Sequence, residues 1–205
     1  MSKVDQWQKI YSAKPTEKLG WYKPRMQIPL NWIEKLELAA DVPIIDVGGG
    51  ASTLVDDLIE AGYRSNTVLD ISKHALSSAK ARLGEKQKLV TWIDADITVV
   101  ELLPCQYELW HDRAMFHFLI SPERSQKYLD NLFQALKPGG HVIIGTFAPE
   151  APKMCSGLPV RRYSLEELQN TIGGDFELMR HDKELHITPG GIEQMYLYCH
   201  FRRKT

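Results

Sequence analysis

Ile44-Ile45-Asp46-Val47-Gly48-Gly49-Gly50-Ala51-Ser52, answered by Val68-Leu69-Asp70, is the stretch on which the fold turns. A short apolar strand runs into glycines without Cβ atoms, so the backbone can turn sharply and a ligand can lie against the main chain. Beyond them Leu54, Val55, Leu58 and Ile59 recur at helical spacing. That predicts a helix over Ser52 to Gly62, with Ser52 able to cap it and its free N–H groups pointing back at the ligand. Asp70 ends the next apolar strand, 22 residues past Gly48, where a carboxylate can accept both hydroxyls of a ribose. An adenosine derivative is the expected ligand.

What the glycine loop lacks narrows the choice. A dinucleotide loop G-x-G-x-x-G starting at Gly48 needs glycine at position 53, which is Thr53, and no G-x-x-x-x-G-K-[ST] phosphate loop occurs. The remaining pattern, Ile44 to Gly50, resembles motif I of the class I S-adenosylmethionine-dependent methyltransferases: two hydrophobic residues, an acid, then Gly-x-Gly. The resemblance runs in order from about Val42 onward. Ile93-Asp94-Ala95-Asp96-Ile97 is similar to the family's adenine segment after strand three, and Tyr107-Glu108-Leu109-Trp110-His111-Asp112-Arg113 to its fourth strand and the turn after it. Leu136-Lys137-Pro138-Gly139-Gly140, followed by His141-Val142-Ile143-Ile144, resembles the family's L-x-P-G-G lead into strand five. Ser52 stands where many members carry a third glycine.

The resemblance implies an α/β, Rossmann-like class I methyltransferase fold. Its seven-stranded sheet is mostly parallel with an antiparallel last strand and carries helices on both faces. S-adenosyl-L-methionine is the implied cofactor. Asp46 with Gly48, Gly49 and Gly50 should secure its amino-acid end, Asp70 and the adjoining Ile71 its ribose, and Asp96 with the Ile97 backbone its adenine. Asp94 competes with Asp96, because a shift of two residues keeps a side chain on the same strand face. The implied chemistry is an in-line displacement at a sulfonium methyl that leaves a neutral thioether, so alignment in a dry site matters more than catalytic side chains. Should the acceptor have to lose a proton, His111 is the titratable group suited to the task, and it counts among the cofactor-side residues as well. Arg113 and Asp112 could orient it or bind a substrate carboxylate; equally, the two could form a structural ion pair while His111 merely ends the strand.

Composition fits this frame. The 205 residues suffice for one sizeable core, and 25 Lys and Arg against 26 Asp and Glu give a formal net charge of −1. No global field draws in nucleic acid or an anionic membrane, so neither is an expected partner. Cys105, Cys155 and Cys199 are odd in number and far apart, which argues against a disulfide frame, and no metal-ligand spacing stands out, His181 and His186 included. Met1 to Trp7 lack an apolar h-region and no apolar stretch reaches membrane-span length, which makes the cytoplasm the expected location.

Along the chain, short apolar runs predict strands at Val42–Val47, Asn66–Asp70, Leu89–Asp94, Tyr107–His111 and His141–Phe147. Helices are expected from Ser72 to Leu83 and from Ser121-Pro122 to just before Gly139-Gly140, the latter with Leu129, Leu132, Phe133 and Leu136 as its core stripe. Ala148 to Tyr163 reads as a long functional loop, Ser164-Leu165-Glu166-Glu167 as a capping box, and Phe176–His186 with Gln194–Arg202 as closing strands joined at Thr188-Pro189-Gly190-Gly191. Residues 1–40 form the expected helical cap on the methyltransferase domain, 41–205, within one domain.

The cap is rich in Trp7, Tyr11, Trp21, Tyr22 and Trp32, which either pack as core or face a cationic sulfonium. Trp21 and Tyr22, with Cys155 and Arg161 of the long loop, are the expected substrate-binding residues; Cys155 is expected to shape the pocket and not to act as a nucleophile. His117, between Phe116 and Phe118, reads as a packed histidine. The expected acceptor is a small molecule. Trp7-x-x-x-Tyr11 with Gly20-Trp21-Tyr22 also resembles the lead-in of methyltransferases that modify lysine on translation factors, so a protein lysine is the alternative. A non-catalytic adenosine-ligand-binding protein or a nicotinamide-dependent oxidoreductase is the reading outside that chemistry. The sequence does not fix the oligomeric state.

Overall fold

The computed structural model describes residues 3–205; Met1 and Ser2, the start of the expected cap and of the stretch read for a leader, lie outside the described residues. Helices α1 (Lys3–Ala13) and α2 (Gln27–Glu34) precede an alternating core: β1 (Ile44–Val47), α3 (Leu54–Glu60), β2 (Asn66–Asp70), α4 (Lys73–Leu83), β3 (Val90–Asp94), β4 (Tyr107–Arg113), α5 (Pro122–Ala135) and β5 (Leu136–Phe147). A small hairpin, β6 (Met154–Cys155) and β7 (Leu158–Pro159), then α6 (Leu165–Ile172), β8 (Phe176–Ile187) and β9 (Glu193–Arg203) complete it. The sheet has seven strands in the order β3-β2-β1-β4-β5-β9-β8. β1 to β5 pair parallel, and β9 runs antiparallel to both β5 and β8.

Alternation along buried strands assigns the two faces. Ile45, Val47 and Trp110 join Tyr128 and Leu132 of α5 and Leu168 of α6 in one apolar cluster. Ile44, Leu109, Ile143 and Tyr198 join Trp32 and Ile33 of α2 and Leu54 and Leu58 of α3 in the other. Serines set helix starts as their positions predict. Ser72 accepts from the Ala75 N–H at 3.3 Å, Ser121 from the Arg124 N–H at 3.3 Å, and Ser164 with Glu167 completes a reciprocal capping box.

Four boundaries differ from the sequence reading. β4 continues through Asp112 to Arg113, because Arg113 pairs with Gly145 of β5 in place of turning. α5 stops at Ala135, with Leu136 already extended at φ −81°, ψ 137°; Pro138 forces its neighbour out of the helical region, so the chain straightens before the glycines. Leu136 is therefore strand core, the helix's buried stripe is Tyr128, Leu132 and Ala135, and Phe133 is 41% exposed beneath the Arg203 guanidinium. The segment expected as a structureless loop contains the β6–β7 hairpin, whose turn residues Ser156 and Gly157 both have positive φ (51° and 75°). α3 starts at Leu54, and Ser52 caps from one position earlier than the formal N-cap Thr53, its Oγ accepting from the Leu54 N–H at 3.2 Å.

The α5 face of β4 carries a buried polar chain. Trp110 Nε1 donates to Tyr128 Oη at 2.8 Å, Tyr128 donates to Asp112 Oδ2 at 3.0 Å, and Asp112 Oδ1 accepts the N–H groups of Met115 and Phe116 at 3.1 and 3.2 Å. Asp112 thus turns its back on Arg113, and the ion pair weighed from sequence does not form. Burial pushes the Asp112 carboxyl up to about 7. Tyr128→Phe would strand the indole N–H and a carboxylate oxygen in the core; we expect a loss of about 2–4 kcal/mol, read as a lower urea midpoint at unchanged slope.

Candidate functional site

At the C-terminal ends of the parallel strands, where open α/β sheets place their ligands, lies a cavity with about 770 Å³ of free space, part of it open to solvent. β2 and β3 supply one end, through Asp70, Ile71, Ala95, Asp96 and Ile97. Arg113 to Met115, Phe118 and Cys155 supply the other, and the cap closes it with Trp7, Tyr11 and Trp21. The three cap rings contact one another edge-on or tilted, at centroid distances of 5.4–6.2 Å, and Trp7 meets Phe118 at 4.9 Å. Gln8 ties α1 down: its Oε1 accepts from Ser72 Oγ at 3.1 Å and from the His74 N–H at 3.0 Å.

Asp70 sits at the end of β2 with Oδ1 accepting the Ser72 N–H at 2.7 Å. Burial, with Asp46 and Asp94 nearby, lifts its carboxyl to about 7. Of the two competing aspartates, Asp96 lines the cavity while Asp94 lies outside it, near Lys73. Burial raises the Asp96 carboxyl, but the Arg124 guanidinium at 2.8 Å and the Thr98 N–H at 2.9 Å outweigh it and hold the carboxyl below the usual range.

The glycine turn is crowded in a way only glycine permits. Gly48 has φ +69°, and a Cβ there would fall 2.4 Å from the Met115 side chain. At Gly50, φ +46°, a Cβ would meet the Tyr11 hydroxyl at 2.6 Å and Asp70 Oδ2 at 2.7 Å. Burial and the Asp70 carboxylate in turn push the Tyr11 hydroxyl pKa up. The N–H groups of Gly48 and Gly49 both donate to the Leu69 carbonyl, at 2.7 and 3.3 Å, so they hold the turn to β2 and are not free for a ligand. The same correction applies to α3, whose first N–H is taken by Ser52.

Several expected residues lie elsewhere. His111 and Asp46 face each other beneath the turn, Nδ1 to Oδ1 at 2.6 Å, both buried and neither on the cavity wall, because β1 and β4 pair with Asp46 opposite His111. A base at His111 could not reach an acceptor from there. Gly49 and Gly50 also lie outside the wall, Tyr22 is half-buried away from it, and Arg161 stacks over Tyr163 with its guanidinium 4.7 Å from the ring. Arg113, Trp21 and Cys155 do line it. Burial pushes the Cys155 thiol up to about 11, which leaves no thiolate for nucleophilic work. Trp7 and Tyr11 line the wall but were not singled out as substrate residues, and Arg124, Met115 and Phe118 went unnoticed. Only the cap's aromatic density signalled the first two.

The residues fit an adenosine ligand with a charged tail. The cavity has an acid at the end of β2, an acid and an apolar backbone segment after β3, and the main chain of Gly48 in its wall. Among the described residues no cluster of three or more His, Cys, Asp or Glu could hold a metal.

Similarity to known proteins bears on the same residues. Residues 44–140 match the family model for a methyltransferase domain. The chain is 21% identical over 140 residues to the bovine (Bos taurus) eEF1A lysine and N-terminal methyltransferase, covering 68% of this chain but only 20% of that protein. It therefore spans about a fifth of the length of the curated relatives it matches. Among solved structures, the Burkholderia thailandensis 1,6-didemethyltoxoflavin-N1-methyltransferase, with 1,6-didemethyltoxoflavin and S-adenosylhomocysteine bound, superposes with a TM-score of 0.72 at 18% identity, over 98% of this chain and 86% of that one. The Bradyrhizobium japonicum N-methyltransferase NodS, in complex with S-adenosylhomocysteine, gives 0.73 at 15% identity over the whole of both. Motif, sheet order and the match over residues 44–140, just under half of the chain, agree on a methyltransferase domain with the fold of the class I S-adenosylmethionine-dependent methyltransferases.

Proposed function

We propose that the protein transfers a methyl group from S-adenosylmethionine to a nitrogen, oxygen or sulfur atom of a small molecule. The observation that carries this reading is the lining of the cavity: the rings of Trp7, Tyr11 and Trp21 with Phe118 and Cys155 make a concave, mostly apolar site, which suits a compact acceptor better than a protein surface. The donor supplies an electrophilic methyl on a sulfonium. Asp70 accepts the ribose hydroxyls and Asp96, braced by Arg124, borders the adenine with Ile97. Gly48 brings bare main chain into the wall, against which the methionyl portion lies, and the cap rings exclude water and offer π faces to the positive sulfur. With His111 withdrawn from the surface, no base is assigned, and the chain's contribution is alignment and desolvation.

A protein lysine acceptor is the second reading, favoured by the eEF1A methyltransferase relatives. We take residues 1–40 as a cap on the 41–205 unit. Cytoplasmic location belongs to the same proposal: all three cysteines are free, and among the described residues no helix is long and apolar enough to cross a membrane.

Two experiments test this reading. Calorimetry should show S-adenosylhomocysteine binding and no NAD binding; with donor present, S-adenosylhomocysteine should form from members of a small-molecule nucleophile panel and not from recombinant eEF1A. NAD binding alone would overturn the donor role, and methylation of eEF1A alone would overturn the acceptor class. The pH dependence of donor binding tests Asp70. Ribose hydroxyls donate to a carboxylate, and the free protein holds a proton there up to pH about 7. Donor affinity should therefore be full at pH 8 and fall as pH drops through 7 toward 6, by up to about tenfold per unit. Asp70→Asn should flatten this profile and weaken binding at pH 8 by about 1.5–3 kcal/mol.

A further inference from the structure

Arg113 is buried, 8% exposed, at the end of the central strand. Its Nε donates to Tyr198 Oη at 2.8 Å and its Nη1 to the Trp21 carbonyl at 2.8 Å, while the guanidinium lies 4.3 Å above the Tyr196 ring. Those contacts fix the fork rigidly. The remaining nitrogen, Nη2, is buried without a hydrogen-bond partner among the described residues, on a side chain that forms the cavity wall. No carboxylate of the described residues forms an ion pair with this guanidinium. Glu184 reaches it only through the Tyr198 hydroxyl, at 3.3 Å from that oxygen, and is itself paired with Lys23.

A buried cation held by neutral partners is costly unless a counter-charge arrives. The hydroxyl of Tyr198 and the carbonyl of Trp21 do not by themselves call for a full positive charge. Asp70 stands at the end of β2 and Asp96 after β3, where Arg124 pairs with it, whereas Arg113 lies across β1 at the end of β4 with no such partner. The same wall carries the rings of Trp7, Trp21 and Phe118, with Trp7 edge-on to the other two, beside the apolar Met115. Rings set this way favour an aromatic body packed edge-to-face or offset against them.

We propose that Arg113 recognises a carboxylate on the methyl acceptor, and that the acceptor is a planar, aromatic carboxylic acid. The assignment rests on the small-molecule methyl-transfer reading above and narrows it to a substrate class. Nη2 donates to the carboxylate, the charge of Arg113 is neutralised on binding, and the aromatic body lies against the cap rings. A charge-assisted contact of this kind orients the acceptor as well as holding it. Arg113 also links acceptor binding to closure, because the same guanidinium holds the Trp21 carbonyl and so the segment that roofs the cavity.

The test uses the full chain saturated with S-adenosylhomocysteine, titrated in a calorimeter with benzoate, 1-naphthoate and indole-3-carboxylate and with the neutral carboxamide of each. At least one acid should bind about tenfold or more tighter than its amide, as loss of a charge-assisted contact entails. Arg113→Gln should erase that preference, and Arg113→Lys should keep its direction. An acid–amide ratio near one throughout, or a preference that survives in Arg113→Gln, overturns the proposal.

The donor's own carboxylate is the competing source of the same chemistry. Titrating Arg113→Gln with S-adenosylhomocysteine and with 5′-methylthioadenosine, which has no carboxylate, separates the two. Both affinities within about threefold of the parent support an acceptor role. Loss of the first with retention of the second assigns the guanidinium to the donor and overturns the proposal. If the glutamine variant loses both nucleosides, the acid–amide ratio of the parent protein decides alone. Failure of the parent protein to bind S-adenosylhomocysteine would instead remove the methyl-transfer reading on which the proposal stands.

Discussion

A strand buried on both faces offers no solvent to polar side chains, so every one it carries must find a partner on the face to which the pleat sends it. β4 ends in three consecutive polar residues, and each solves the problem with a different layer of the molecule. His111 turns to one face and meets Asp46 of β1 beneath the glycine turn. Asp112 turns to the other, capturing the Met115 and Phe116 N–H groups and the Tyr128 hydroxyl of α5. Arg113 returns to the first face one step nearer the surface, where it takes Tyr198 of β9 and the Trp21 carbonyl of the cap. Glycine turn, helix layer and cap are thus all positioned from a few ångströms of one strand. Displacing any of the three leaves a buried charge or donor unpaired, which costs more than the contact itself contributes.

What could be read from the sequence follows from how local each cause is. The glycine turn, Asp70 at the end of β2, the caps at Ser121 and Ser164 and the Thr188-Pro189-Gly190-Gly191 turn between the closing strands depend on residues within a few positions of one another, and they are legible in the sequence. The Asp46–His111 contact was not, because it follows from the register between β1 and β4, set by packing of segments some sixty residues apart. Arg124 escaped notice for a related reason: α5's first turn meets the segment after β3 only once the crossover is packed. α5 was read too long because the hydrophobic spacing persists through Leu136, whereas the steric demand of Pro138 ends the helix first. The polar turn residues of the long loop were visible, but two apolar pairs are too short to announce the β6–β7 strands.

The cavity's electrostatics have a physical logic of their own. Two carboxylates and two guanidiniums stand among apolar and aromatic side chains, Arg124 matched to Asp96 and Arg113 unmatched. In such a setting charges are poorly screened, so a bound molecule's orientation is set by its charge distribution before close contacts form. Asp70, close to its own neutralisation point near 7, is the softest of these charges. Asp96 is held ionised by Arg124, and Arg113 by the chemistry of its side chain.

The sheet order carries a consequence for how the molecule assembles. β9 lies between β5 and β8, and β8 touches the sheet through β9 alone. The turn joining these two strands is tight, closed by Thr188, whose carbonyl and hydroxyl accept from Gly191 and Ile192. Its loop-closure cost is small compared with bringing β9 to β5 across some fifty residues. Closing the β8–β9 ribbon is therefore the cheaper of the two pairings, and the seventh strand depends on the sixth for its place in the sheet. The Tyr198 hydroxyl, and with it one of Arg113's anchors, reaches β4 only through the costlier docking of that ribbon on β5.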